Sequence, residues 1–112
     1  MTKYIKLAEN KAATHLKVEV YYNLGGYNCF TYKPEERGYY LSVSPVTREN
    51  RGGCTMESYA AFSGIKQCVH VVNRKSAKAE TIAAEKAAQI ENTLISWVLE
   101  KNGLELETEA AQ

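Results

Sequence analysis

The stretch HLKVEVYYNLGGYNCFTYKPEERGYYLSVSPV, residues 15–46, decides how this chain folds. Its first eight residues alternate: Leu16, Val18, Val20 and Tyr22 on one side, Lys17, Glu19 and Tyr21 on the other. A period of two marks a strand with one buried face. NLGG (23–26) offers two glycines for a turn. YNCFTYK (27–33) is the expected hairpin partner, with Tyr22 opposite Tyr27. KPEERG (33–38) reads as the next turn, Pro34 presetting the bend and Gly38 closing it. YYLSVSPV (39–46) alternates again, and Pro45 marks its end or an edge position.

The same reading extends in both directions. YIKLA near the N-terminus fits a short first strand. TRENRGG (47–53) is a polar, basic loop. CTMESYAAF (54–62) and IKQCVHVV (65–72) are two more strands joined tightly at Ser63-Gly64. Ser76 is a helix N-cap, and one long helix follows over about 77–101, stopped by Asn102-Gly103. The order predicts an α+β fold: an antiparallel meander of four to five strands, then one long C-terminal helix on one sheet face. Residues 1–103 form a single domain, and 104–112 an acidic, frayed tail.

At 112 residues the chain is long enough for one core without metal or disulfide staples. No apolar run approaches the roughly 18 residues a bilayer span needs, and MTKYIKLAENK lacks the apolar core of a signal peptide. Cys29, Cys54 and Cys68 are odd in number and widely spaced, which fits packed, unpaired thiols in the reducing cytoplasm. Charge is unevenly placed. Residues 1–78 hold twelve Lys and Arg against six Glu, and residues 79–112 two Lys against seven Glu. Such asymmetry points to nucleic acid or another charged partner.

Chemical motifs are sparse. Cys68-x-His70, with Cys54 on a nearby strand, is the nearest approach to a zinc-ligand set, but no pair stands at finger spacing. GxGxxG, Walker A and GxSxG are absent, and the glutamates do not converge in pairs. These patterns predict a non-enzymatic protein with no cofactor and no metal.

Alternation also sorts the aromatic rings. Tyr22, Tyr27, Cys29, Tyr39, Leu41, Val43, Met56, Ala60, Phe62, Ile65, Val69 and Val71 join the apolar face under the helix. The other face collects Tyr21, Phe30, Tyr32, Tyr40 and Tyr59 among hydroxyls and charges, His70 included. One reading is a solvated sheet held by cross-strand rings. The other is a stacking platform for single-stranded DNA or RNA, with Lys17, Arg48, Arg51, Lys66, Arg74, Lys75 and Lys78 holding phosphates. On the helix, Ala83, Ala87, Ile90, Leu94, Trp97 and Val98 fall on one apolar stripe. Ala84, Ala88, Ile95 and Leu99 form a second, which packs under the N-terminal segment or meets another molecule as a homodimer interface.

HLKVEVYYNLGGYNCFTY, RGYYLSVSPV and ESYAAFSG together resemble a family of small uncharacterised proteins encoded on bacterial conjugative and other mobile elements, over roughly residues 4–75. That resemblance brings no established activity and no functional residues. At the level of fold, strands followed by one long helix are similar to the ββββα unit of Pur-alpha-type repeats and Whirly-type domains. That likeness implies single-strand binding on an open sheet and association through pairs of units. The expected function is a binding module for single-stranded nucleic acid. The alternative is a protein-interaction or structural accessory module of a mobile element.

Overall fold

The computed structural model describes residues 2–8, 13–29, 32–59 and 64–107. The chain runs through β1 (Thr2–Lys6), β2 (His15–Asn23), β3 (Gly26–Asn28), β4 (Lys33–Glu35), β5 (Gly38–Arg51), β6 (Cys54–Tyr59), β7 (Ile65–Val71) and α1 (Ala77–Asn102). The fold is α+β: a five-stranded antiparallel sheet with α1 packed on one face, beside a two-stranded hairpin made by β3 and β4. Among the described residues, no helix is long and apolar enough to cross a membrane.

The central ladder joins β2 to β5, not to the segment directly after it. His15 pairs with Val46 and Asn23 with Gly38, so Tyr22 faces Tyr39 rather than Tyr27. The chain leaves the sheet at Asn23, whose Oδ1 accepts the Gly25 N–H at 2.8 Å. Gly25 and Gly26 follow at φ +77° and +107°, in the region that favours glycine. Residues 26–35 then fold on themselves as the β3–β4 hairpin. The physical reason is the quality of the two candidate partners. Residues 39–43 supply an alternating apolar strand, while 27–34 contains Asn28 and Pro34, poor ladder residues.

Gly38 closes this excursion. A Cβ there would lie 2.2 Å from the carbonyl oxygen of His70, so the backbones of β5 and β7 approach as only glycine allows.

Strand β5 does not end at Pro45. It continues through the expected loop to Arg51 and forms a projecting arm with β6, turned at Gly52-Gly53. β6 and β7 lie end to end along one edge of β5: β6 pairs with residues 46–51 and β7 with 38–43. They are therefore not successive meander strands. The interruption coincides with Pro45, whose nitrogen has no hydrogen to donate. Gly64 brings the chain back close over Ser44.

The core contains Leu16, Val18, Leu41 and Val43 from the sheet and Ala83, Ala87, Leu94 and Val98 from α1. Ser76 Oγ caps the helix by accepting from Ala79 N at 3.0 Å, and Gly103 at φ +66° ends it. Several expected core side chains are not in it. Tyr27 leaves with the hairpin, Met56 sits on the arm beyond the helix, and both are exposed. A register shift between Tyr39 and Tyr40 places Cys68 and His70 opposite neighbouring residues. His70 thereby pairs with core-facing Tyr39 instead of joining the outer face, and Val71 is exposed. Trp97, expected against the sheet, is exposed, about 100° around the helix from buried Val98. Cys29 and Cys54 are exposed rather than packed, because the hairpin and the arm that carry them are uncovered. Ala60 and Phe62 lie outside the described residues.

The second helix stripe divides. Ile95 is 7% exposed and belongs to the chain's own core, and Leu99 packs against it with Leu7, Ala13 and Leu104. Ile95 is therefore not available to another molecule, and Leu99 is partly covered. The tail is not frayed from residue 104: Leu104 is buried, and Leu106 bridges to Leu7. Ala84 and Ala88, about two to four turns earlier, instead line a groove of about 210 Å³ with Val18 and Val20.

We expect Gly38→Ala to lower the unfolding free energy by about 1–3 kcal/mol, the cost of overpacking. Chemical denaturation followed by circular dichroism measures this, and an unchanged midpoint would contradict the close β5–β7 approach.

Candidate nucleic-acid interface

The sheet face opposite α1 is built by β1, β2, β5 and their edge partners, and the ladder places its side chains in rows. One row runs Tyr4, Lys17, Ser44, and another runs Tyr21, Tyr40, Cys68. Tyr21 and Tyr40 stack on each other, ring centroids 6.0 Å apart and planes 23° off parallel. Tyr40 is only 6% exposed. Its hydroxyl donates to Glu36 O at 2.8 Å, and Lys66 lies over its ring. Burial pushes the Tyr21 and Tyr40 phenols above their ordinary range. Tyr40 is thus a structural ring and offers no face to a base. The returning segment after β4 covers it, because that segment is the end of the excursion from β2.

The cations of this face are engaged as well. Glu57 on β6 is a hub: it accepts from the Tyr4 hydroxyl and lies 3.0 Å from Lys17 Nζ. Arg48 Nε is buried 3.5 Å from Glu57 Oε1 without hydrogen-bond geometry, so charge alone holds that pair. The Arg48 guanidinium lies 3.8 Å from the centre of the Tyr4 ring, and Lys17 lies over Tyr59. Lys66 pairs with Glu35, which also accepts from Asn23. Arg51, at the arm tip, pairs with Glu49 at 2.7 Å. Four of the seven expected phosphate-binding cations are therefore matched by carboxylates of the same chain.

The other three are not. Arg74, Lys75 and Lys78 flank the start of α1 and enter no ion pair among the described residues. Lys75 lies over the Tyr22 ring at 5.7 Å. Sequence reading missed two neighbours, Lys33 and Arg37, which likewise enter no ion pair among the described residues. Arg37 donates from Nε to Leu24 O, and its carbonyl accepts from Val72 N, which ties the excursion to the segment entering α1. Tyr27 and Tyr32, 67% and 78% exposed, stand on the same hairpin as Lys33. Tyr32 holds a left-handed backbone, φ +57°, unusual for an aromatic residue. The run KPEER was the available signal, since a turn that carries its own cations displays them.

The candidate site thus splits. Tyr21, Tyr40, Lys17, Arg48 and Lys66 belong to a closed, charge-balanced sheet face. Tyr59 is exposed at the base of the arm. Arg74, Lys75 and Lys78 stand at the start of α1, while Tyr27, Tyr32 and Lys33 belong to the hairpin excursion, which the Val72 N–Arg37 O hydrogen bond ties to the segment entering α1. Phe30 lies outside the described residues. No group of three or more His, Cys or Glu able to hold a metal occurs among the described residues. No family model, curated protein or solved structure matches the chain.

The hub has a pH signature. The Tyr4 hydrogen bond, then that from Lys17, holds the Glu57 carboxyl below its ordinary value of 4.5. Lys66 does the same for Glu35. A carboxyl depressed in the folded state stabilises the fold above its unfolded pKa, and that contribution is lost as pH falls through the folded value. Denaturation midpoints should therefore drop as pH falls below the ordinary carboxylate range. Glu57→Gln should flatten that drop without abolishing it, since Glu35 remains. An identical pH profile in the variant would show that the hub carries no stability.

Proposed function

We propose that the chain is a non-catalytic module that binds single-stranded DNA or RNA. The contact is centred on the β3–β4 hairpin and the segment leading into α1. One observation carries this reading: exposed Tyr27 and Tyr32 share the β3–β4 excursion with Lys33 and Arg37, the Arg37 carbonyl accepts from Val72 N just before Arg74, Lys75 and Lys78, and none of these five cations enters an ion pair among the described residues. Unpaired bases stack on exposed rings, and phosphates replace the counterions of nearby Lys and Arg. The positive end of the α1 dipole also lies here. It disfavours Arg74, Lys75 and Lys78 and favours an arriving anion.

The middle of the sheet face suits a polyanion less well. A phosphate approaching Lys17, Arg48 or Lys66 meets Glu57 or Glu35 at the same point. A charge-balanced, tyrosine-rich face has the composition of a protein contact, and this favours a protein partner there as the second reading.

Fluorescence anisotropy with a labelled oligonucleotide at two salt concentrations tests the proposal. Tyr32→Ala should weaken binding at least several-fold, as loss of a stacked base costs about 1–3 kcal/mol. Lys75→Glu should weaken it and reduce the salt slope by about one or more. Glu57→Gln releases Lys17 and Arg48 and should leave binding at the hairpin unchanged. No binding at low salt sinks the proposal, and a marked gain in Glu57→Gln relocates the contact to the sheet face.

A further inference from the structure

The two edges of the sheet are defended unequally. An edge strand is a template for another strand, and proteins blunt it with Lys, Pro, bulges or a covering segment. β1 carries Lys3 and Lys6, and residues 105–107 cover its end: Ala8 N donates to Glu105 O and Glu107 N to Lys6 O. β7 carries Lys66 and the register shift at Tyr39/Tyr40. β6, CTMESY, has none of these devices, and every one of its residues is exposed. Its single charge, Glu57, is turned into its own sheet by Tyr4, Lys17 and Arg48. Its outer edge has no partner among the described residues.

We infer that β6 pairs antiparallel with β6 of a second copy, about a two-fold axis through Met56. A two-fold axis perpendicular to the sheet keeps each residue on its own face, so partners must match in parity. That leaves Thr55, Met56 or Glu57 as the centre of a useful register. Centring on Glu57 opposes two identical carboxylates, which is unfavourable. Centring on Thr55 brings the Gly52-Gly53 turn into the ladder and shortens it. Centring on Met56 pairs Cys54 with Ser58, Thr55 with Glu57 and Met56 with itself. It sets no like charges opposite each other, and it covers a side chain that is 56% exposed in the single chain. The strand is thus complementary to its own copy in that register. The contact is far smaller than the roughly 800 Å² per partner of a standard interface, so association is weak and concentration-dependent. This inference does not depend on the nucleic-acid reading.

Sedimentation velocity across micromolar to high-micromolar concentration provides the test. The wild type should move from monomer toward dimer, and Met56→Lys, which adds the missing edge charge, should remain monomeric with an unchanged circular dichroism spectrum. The register is read by oxidative crosslinking in a chain with Cys29→Ser and Cys54→Ser. Met56→Cys should form a covalent dimer, and Thr55→Cys should do so far more slowly, being opposite Glu57 rather than itself. A wild type that stays monomeric throughout overturns the inference, as does equal association of Met56→Lys. Crosslinking of Thr55→Cys at the rate of Met56→Cys overturns the register.

Discussion

The ladder between residues 15–23 and 38–46 is the constraint on which the rest of the molecule depends. It sets Leu16, Val18, Leu41 and Val43 on one face, where α1 covers them. It also strands everything between Asn23 and Gly38 outside the sheet. A segment excluded in this way must satisfy its own backbone groups, and it does so as a short hairpin whose side chains have little core to enter. Tyr27 and Tyr32 are exposed for that topological reason, and not because either residue is polar. The close β5–β7 approach at Gly38 permits the rejoining.

The helix obeys a second constraint, that of width. One helix covers about two strands, and α1 lies mainly over β5 and β7. Over its C-terminal half, the side toward β1 is filled by Leu7, Ala13, Leu104 and Leu106, so Ile95 and Leu99 find partners within the chain. Over its N-terminal half nothing comparable is present among the described residues, and Ala84 and Ala88 border a groove. A stripe that looks continuous on a helical projection therefore has two fates, set by which other segments reach it.

Charge follows the same logic of proximity. Glu57 and Glu35 are the carboxylates that neutralise the sheet face: Glu57 is held by the local β5–β6 hairpin and Glu35 by the local β3–β4 hairpin, yet each meets a lysine far away in sequence. Glu57 reaches Lys17 across forty residues because β6 and β2 both flank β5. The cations around the start of α1 enter no ion pair among the described residues, so their positive potential is not cancelled by a contact of that kind.

Local chemistry alone determined much of this protein. The alternation of 15–22 and 39–46 specified strands and their buried faces, because the period of two is a property of the backbone. Ser76 and Gly103 bounded the helix, because caps satisfy the helix's own terminal groups. The α+β class followed from the order of those elements. Tertiary structure decided what depends on a choice among partners. Residues 15–23 could have paired with 27–33 or with 38–46, and only the summed burial of a nine-pair ladder under a helix selects the second. The register shift beside Tyr40, the end-to-end arrangement of β6 and β7, and the pairing of Lys17 with Glu57 rest on contacts between segments far apart along the chain. Alternation sorted Tyr21 and Tyr40 to the outer face correctly, but it could not reveal that a returning loop covers Tyr40. A residue's face is a local property, whereas its exposure depends on what the rest of the chain lays over it.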